Sequence, residues 1–177
     1  MQISWFNKKL ETRKSPISGT GVFAKKQIAR GETVAVFGGF VVDVDTLKKN
    51  KTTCPKEYKT ILEIGYQITD NLIYAPTTKA QFSVIEYLNH NCDPNCGFED
   101  AITLVAMRDI PKNTEISMDY AMCVSLKMFE MKCECGSSIC RGFVHFNDWK
   151  IKELQKKYKK FFQPYIRKKI KLLNVKK

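Results

Sequence analysis

The sequence predicts a mostly β, α+β fold: a β-rich body, a small cysteine-built segment and a basic helical C-terminal extension. Three observations carry this. Runs of β-branched and aromatic residues alternate with polar ones around tight turns in "GVFAKKQIARGETVAVFGGFVV" (21–42) and in "RDIPKNTEISMDY" (108–120), the signature of short strands. Three cysteines crowd into "CECGSSIC" (133–140). From Trp149 onward, apolar residues recur at three- and four-residue spacings with lysines between them, which is the pattern of an amphipathic helix.

A chain of 177 residues with 44% hydrophobic residues can bury one core with an appendage and is too short for two full domains. The expected divisions are 1–124 for the body, 125–146 for the cysteine segment and 147–177 for the extension. No apolar run approaches the roughly 20 residues that span a bilayer, and "MQISWFNKKLETRK" has no signal-like apolar stretch. Seven cysteines is an odd number, and Cys133 and Cys135 are separated by one residue. Thiols or metal thiolates fit this better than a disulfide framework. The expectation is a soluble intracellular chain in a reducing compartment, with nucleus, cytoplasm and a secreted effector left open.

Taken in order, the first β stretch turns at "ARGE", and residues 108–120 repeat its scheme of isoleucine, small residue, basic residue, Gly or Asn, then Glu, with one residue more. Both read as strand, tight turn, strand, forming two edges of one core. Residues 43–60, polar and lysine-rich with a proline, suggest a helical turn and then an exposed loop. "YQITDNLIYAP" (66–76) returns to strand character, and "TKAQFSVIEYLNH" (78–90) suggests a short helix with Phe82, Ile85 and Leu88 or Tyr87 inward. The last helix should begin at an Asn147 or Asp148 cap and be kinked or divided at Pro164.

The net charge of +12 is unevenly placed. Residues 150–177 hold 12 basic groups and one acid, Glu153, whereas residues 1–149 are nearly neutral. Such a segment is drawn to polyanions. Docking a face of Leu154, Tyr158, Phe161 and Ile166 on the body or on a second copy would leave a solvated lysine face, open to nucleic-acid or nucleosome contact. A homodimer through this helix is the other expectation.

The cysteine segment reads as a metal site. A Gly-containing knuckle lets Cys133, Cys135 and Cys140 converge on one ion, and zinc takes four such ligands at about 2.3 Å. The fourth is open among Cys92, Cys96, Cys123 and Cys54.

These pieces together resemble the SET-domain protein lysine methyltransferases, over roughly residues 12–146. "SGTGVFAKKQIARGE" resembles the opening Gly-x-Gly motif, "YLNHNCDPNC" the central Asn-His-x-Cys-x-Pro-Asn motif, "EISMDYA" the Glu-x-x-x-Asp-Tyr strand and "CECGSSICRGF" the post-SET zinc knuckle. The resemblance implies a SET domain of small curved sheets with a pseudoknot, in which S-adenosylmethionine and substrate meet in a channel. It puts Cys92 on Zn2+ with Cys133, Cys135 and Cys140, and leaves Cys96 a free thiol. It assigns cofactor contacts to Gly19, Thr20, Gly21, Val22, Asn89, His90 and Tyr120, catalysis to Tyr120 with Tyr66 as second wall, and the channel to Met118 and Tyr66. The protein substrate would present a lysine, with histone tails the family's commonest target. The chain departs from the common pattern at Asn91, at Glu86, at "FGG" (37–39) and at Met118, where Phe or Tyr is usual. A thioether there has no hydroxyl to anchor a water against the amine, which implies more than one methylation.

Overall fold

The computed structural model describes residues 4–75, 83–127 and 129–175. Its elements are β1 (Trp5–Phe6), β2 (Leu10–Lys14), β3 (Thr20–Ala24), β4 (Thr33–Val36), β5 (Phe40–Asp43), α1 (Val44–Thr53), α2 (Pro55–Ile64), β6 (Tyr66–Gln67), β7 (Leu72–Ala75), β8 (Asn89–His90), β9 (Cys96–Phe98), β10 (Thr103–Ala106), β11 (Glu115–Met118), β12 (Glu130–Lys132), β13 (Phe143–His145), α3 (Lys152–Tyr158) and α4 (Pro164–Val175). The fold is mostly β, as the sequence predicts.

The two echoing turns do not form separate hairpins at sheet edges; they exchange partners. β3, before the first turn, pairs with β11, after the second, while β10 pairs with β4. Between them Ile28 and Ile110 bond each other in both directions, at 3.0 and 2.9 Å. The exchange is reciprocal. Gly31 N–H donates to Ala106 and Asn113 N–H donates to Ala24, and each alanine lies four residues before its isoleucine. Both turns close through a left-handed residue, Gly31 at φ +83° and Asn113 at φ +70°, a conformation that glycine and asparagine tolerate best. The reason for the difference from expectation is length: Lys25 to Glu32 is too long a connection for a tight hairpin, so the strands find partners across the repeat.

The resulting eight-stranded sheet runs β1-β4-β10-β9-β11-β3-β2, with β8 also on β11. β11 is the organising strand. β8 and β9 lie parallel to it, with Met118 opposite His90 and Cys96, and antiparallel β3 flanks it. The 87–96 motif is thus laid along the strand that ends at Asp119 and Tyr120.

Residues 43–60 form two helices rather than a turn and a loop. The Asp43 carboxylate caps α1 by accepting from the N–H groups of Asp45 and Thr46 at 3.1 and 2.8 Å, and Pro55 opens α2 where its missing N–H costs nothing. Leu47 and Ile61 pack with Ile73 and Ala75 in a small core of their own, under the sheet β5-β7-β6. One narrow apolar stripe on each helix suffices, which is why the lysines hid them. Residues 84–87 form a single 3-10 turn capped reciprocally by Ser83 and Glu86, with Ile85 buried and Tyr87 exposed; Leu88, which follows, is also buried. Phe82 lies outside the described residues.

The extension docks on the body. Leu154, Tyr158, Phe162 and Ile166 are buried in the same core as Val22, Phe98 and Ile116, while Phe161 is half-buried. That face is therefore taken up by the chain's own body. Division falls at Lys159, at φ +38°, and Pro164 begins α4 instead of kinking a longer helix. Neither expected cap caps: Asn147 makes no side-chain cap bond, and the Asp148 carboxylate is drawn to Arg141, a stronger, charged partner.

Truncating the fully buried Phe162 to Ala removes a ring the sheet cannot collapse onto, so Phe162→Ala should cost roughly 3–5 kcal/mol in urea unfolding. Lys168→Ala, on the exposed face, should stay within about 0.5 kcal/mol.

Candidate active site and zinc centre

β8 hands Cys92 to the knuckle. The sulfurs of Cys92, Cys133, Cys135 and Cys140 lie within 4.8 Å of one another, and Cys92 and Cys133 are 3.8 Å apart. Four sulfurs each about 2.3 Å from one zinc would sit near that spacing. The surroundings suit thiolates, with Arg141 N–H on Cys92 Sγ and Gly142 N–H on Cys140 Sγ, both at 3.4 Å. Burial pushes the Cys92 thiol up to about 11, a proton that a bound cation would displace. Cys96 is fully buried in the main core, Cys123 is buried beside Tyr120 and Cys54 is exposed. Among the described residues none of them joins the cluster, and Cys92 is the one of the four alternatives whose sulfur lies with the knuckle sulfurs.

The His90 ring is turned toward the same cluster. Its Nδ1 accepts the Tyr120 N–H at 3.2 Å, which leaves the proton of the neutral ring on Nε2, 3.4 Å from Cys92 Sγ. Burial holds its pKa down, at about 4, so the ring is neutral. Its second nitrogen is placed to orient the Cys92 sulfur of the candidate metal cluster, and both ring nitrogens are thereby engaged within the protein.

Asn89 gathers the glycine loop. Its Nδ2 donates to Ser18 O at 3.1 Å, Thr20 O at 3.3 Å and Glu115 Oε1 at 2.9 Å, and Ser15 Oγ donates to the same carboxylate at 2.8 Å. Gly19 is left-handed, at φ +48°, with open space where a side chain would be, whereas a Cβ on Gly21 would lie 2.3 Å from Glu115 Oε1. Gly19 and Thr20 are exposed, while Val22 is buried in the sheet. Residues 19–22 and 89–90 thus meet in one patch. The open glycine turn suits S-adenosylmethionine by leaving backbone groups uncovered where an extended polar ligand needs them.

Beside this patch is a cavity of about 430 Å³ whose lining includes Tyr66, Met118, Tyr120, Leu88, Cys123 and Phe129. Tyr120 Oη donates to Leu88 O at 3.0 Å. Among the described residues Tyr66 Oη has no hydrogen-bond partner, although the residue is only 7% exposed. An unpartnered buried hydroxyl is costly. Burial raises both phenols well above their ordinary pKa, so they act as neutral hydrogen-bonding groups.

Sequence reasoning missed what holds Tyr120. The preceding Asp119 is fully buried, and its carboxylate accepts from Arg141 Nη1 and Nη2 at 2.7 and 2.8 Å, from Tyr158 Oη at 2.7 Å and from Ala121 N–H at 3.0 Å. Burial opposes its ionisation, yet the Arg141 hydrogen bonds hold its pKa below the usual value. Arg141 Nε also reaches Asp148 at 3.1 Å. Arginine directly after the last knuckle cysteine and a polar tyrosine in the apolar helical stripe were the available signals.

A parallel Asn-His strand beside a Glu-to-Tyr strand, closed by a four-cysteine centre, is the arrangement of a SET domain. Residues 19–121, more than half of the chain, match the SET domain family, and the chain belongs to it. It is 32% identical over 148 residues to the Variant-silencing SET domain-containing protein of Plasmodium falciparum (isolate 3D7), covering 78% of this chain and 6% of that protein. It is 29% identical over 145 residues to that organism's Putative histone-lysine N-methyltransferase 1, covering 77% and 2%. To Histone-lysine N-methyltransferase 2B of Homo sapiens it is 27% identical over 140 residues, covering 75% and 5%. The chain therefore spans only a few per cent of the length of these relatives.

Metal analysis of single variants tests the cysteine division. Cys92→Ser should lose bound zinc, whereas Cys96→Ser should keep it; the reverse would overturn the assignment.

Proposed function

We propose that the chain transfers a methyl group from S-adenosylmethionine to the ε-amine of a lysine in a protein substrate, with a histone tail the leading candidate. The observation that carries this reading is the cavity whose lining brings Tyr66, Met118 and Tyr120 together. The names of the relatives, histone-lysine N-methyltransferases, support it. Bound S-adenosylmethionine would supply an electrophilic sulfonium methyl, held by Gly19, Thr20, Gly21, Val22, Asn89, His90 and Tyr120 largely through backbone groups. A lysine with an ordinary pKa of about 10.4 must lose a proton before it can attack. The apolar part of the cavity disfavours the ammonium form, while Glu86 and Glu130, which also line it, are carboxylates within reach of the cavity that could take up the proton. The two neutral phenols orient the amine, and positioning is the main source of rate. Met118 gives the wall a flexible thioether with no hydroxyl to hold a water, which favours repeated methylation.

The extension supports a second contact. With its apolar face buried, Lys150, Lys152, Lys156, Lys159, Lys160, Lys168 and Lys171 remain exposed, and a docked lysine face fits the phosphates of nucleosomal DNA. The expected setting is a reducing, intracellular compartment, consistent with seven free cysteines; among the described residues no helix is long and apolar enough to cross a membrane.

Labelled methyl transfer to a histone mixture tests the enzyme. The wild type should modify lysine, and Tyr120→Phe should lose about 100-fold or more in kcat, while mass spectrometry at exhaustive turnover should find di- or trimethyl product. Failure of folded, zinc-loaded wild type to modify any lysine substrate would leave a zinc-stabilised basic binding module, and exclusively monomethyl product would overturn the reading of Met118. Binding to duplex DNA should fall steeply between about 50 and about 200 mM salt; salt-independent binding would contradict the phosphate contact.

A further inference from the structure

Tyr158 belongs to the extension, outside the span matched by the family, yet it reaches both centres of the site. Its hydroxyl is 2.7 Å from Asp119 Oδ2 and 3.3 Å from the carbonyl oxygen of Cys92. It is fully buried and packs edge-on against Phe162, with ring centroids 5.7 Å apart. Its neighbour Lys157 holds the same Cys92 carbonyl at 3.1 Å and Asp93 at 2.9 Å.

We propose that Tyr158 is a positioning residue for methyl transfer, so that the extension is a working part of the active centre as well as a docked appendage; this rests on the function proposed above. Asp119 offers about four lone-pair sites. Two face the Arg141 fork, one faces Ala121 N–H and one faces Tyr158. With the carboxylate fully buried, no water replaces a missing donor, and the carboxylate must shift to find another. That shift passes directly to the 3-10 turn Tyr120–Met122, which Asp119 caps, and so to the Tyr120 hydroxyl in the cavity. On its other side Tyr158 steadies the backbone of Cys92, whose sulfur belongs to the candidate zinc cluster and is the partner of His90 Nε2. His90 Nδ1 in turn takes the Tyr120 N–H. Tyr120 is therefore restrained from two directions that both begin at one hydroxyl.

The test uses the full-length, zinc-loaded chain and three variants. Tyr158→Phe keeps the ring's packing and removes only the hydroxyl. Lys157→Met removes the other bond to the Cys92 carbonyl and leaves Asp119 untouched. Ile170→Ala thins the docking face of α4, where Ile170 is half-buried against the core. Tyr158→Phe should lower kcat about tenfold, the scale of a sub-ångström misplacement, with KM for peptide and cofactor within about twofold, and should release zinc to excess chelator several-fold faster. Ile170→Ala should lower Tm with kcat and zinc release unchanged well below the transition, and Lys157→Met, which loosens only the Cys92 side, should speed zinc release with a smaller loss of kcat than Tyr158→Phe. Wild-type kcat and zinc release in Tyr158→Phe would overturn the proposal, as would an equal kcat loss in Lys157→Met or Ile170→Ala. Should the wild type transfer no methyl, the functional reading fails separately. Zinc release then decides: faster in Tyr158→Phe retains the coupling to the metal centre, and unchanged overturns it.

Discussion

One buried carboxylate constrains most of this molecule. Asp119 sits at the end of the central strand with no solvent exposure, and its charge is tolerable only because donors from the zinc knuckle, the extension and its own turn converge on it. A buried ion pair is a poor source of net stability, because desolvating both charges offsets their attraction. Breaking one, however, costs about 3–5 kcal/mol. Its value here is specificity: an alternative docking of the knuckle or of α3 would strand a charge in the core. Each of the three segments is held in its register by what the other two provide.

The same logic bears on what the four-cysteine cluster could contribute. Cys92, Cys133, Cys135 and Val144 form a cluster separate from the main core, and β12 and β13 form a two-stranded sheet that is marginal alone. A zinc ion held by one ligand from the body and three from the knuckle would supply the cross-link that apolar burial does not. Arg141 repeats that cross-link electrostatically, with its N–H on Cys92 Sγ and its guanidinium on Asp119 and Asp148. The candidate metal ligands and the ion pair thus share one short stretch of backbone.

How much of this was legible in the sequence depended on the range of the interaction. The β character, the cysteine knuckle, the apolar face of the extension and the family motifs are local patterns, and the structure reproduces them. The strand exchange was visible as a repeat but not as a pairing, because a one-dimensional echo does not say whether two similar turns fold on themselves or on each other. The helices after Asp43 were hidden because a helix resting on a small satellite core needs one apolar stripe, and lysines dominate the rest. Asn147 and Asp148 had the composition of caps, yet Asp148 had a distant arginine to satisfy. The orientation of His90 lay beyond any sequence pattern, since either ring nitrogen suits a cofactor, a sulfur or a backbone amide. Cys92 and Cys96 could be separated only by resemblance, and the sulfur cluster now separates them by distance.

Burial also sets the style of chemistry the site can perform. In the proposed reaction, the desolvation that raises the pKa values of Tyr66 and Tyr120 would act to lower that of a lysine entering beside them, against the opposite pull of the Glu86 and Glu130 carboxylates in the same lining. A site of this kind depends on the exclusion of water and on the placement of two hydroxyls. Of the departures, Asn91 supplies neither hydroxyl, whereas Glu86 lines the cavity itself. The residues the site can least spare are those that fix where the Tyr120 hydroxyl stands. Several of them, Asp119, Arg141 and Tyr158, are distributed along the chain so that the final strand, the knuckle and the extension must all be docked before the site is complete.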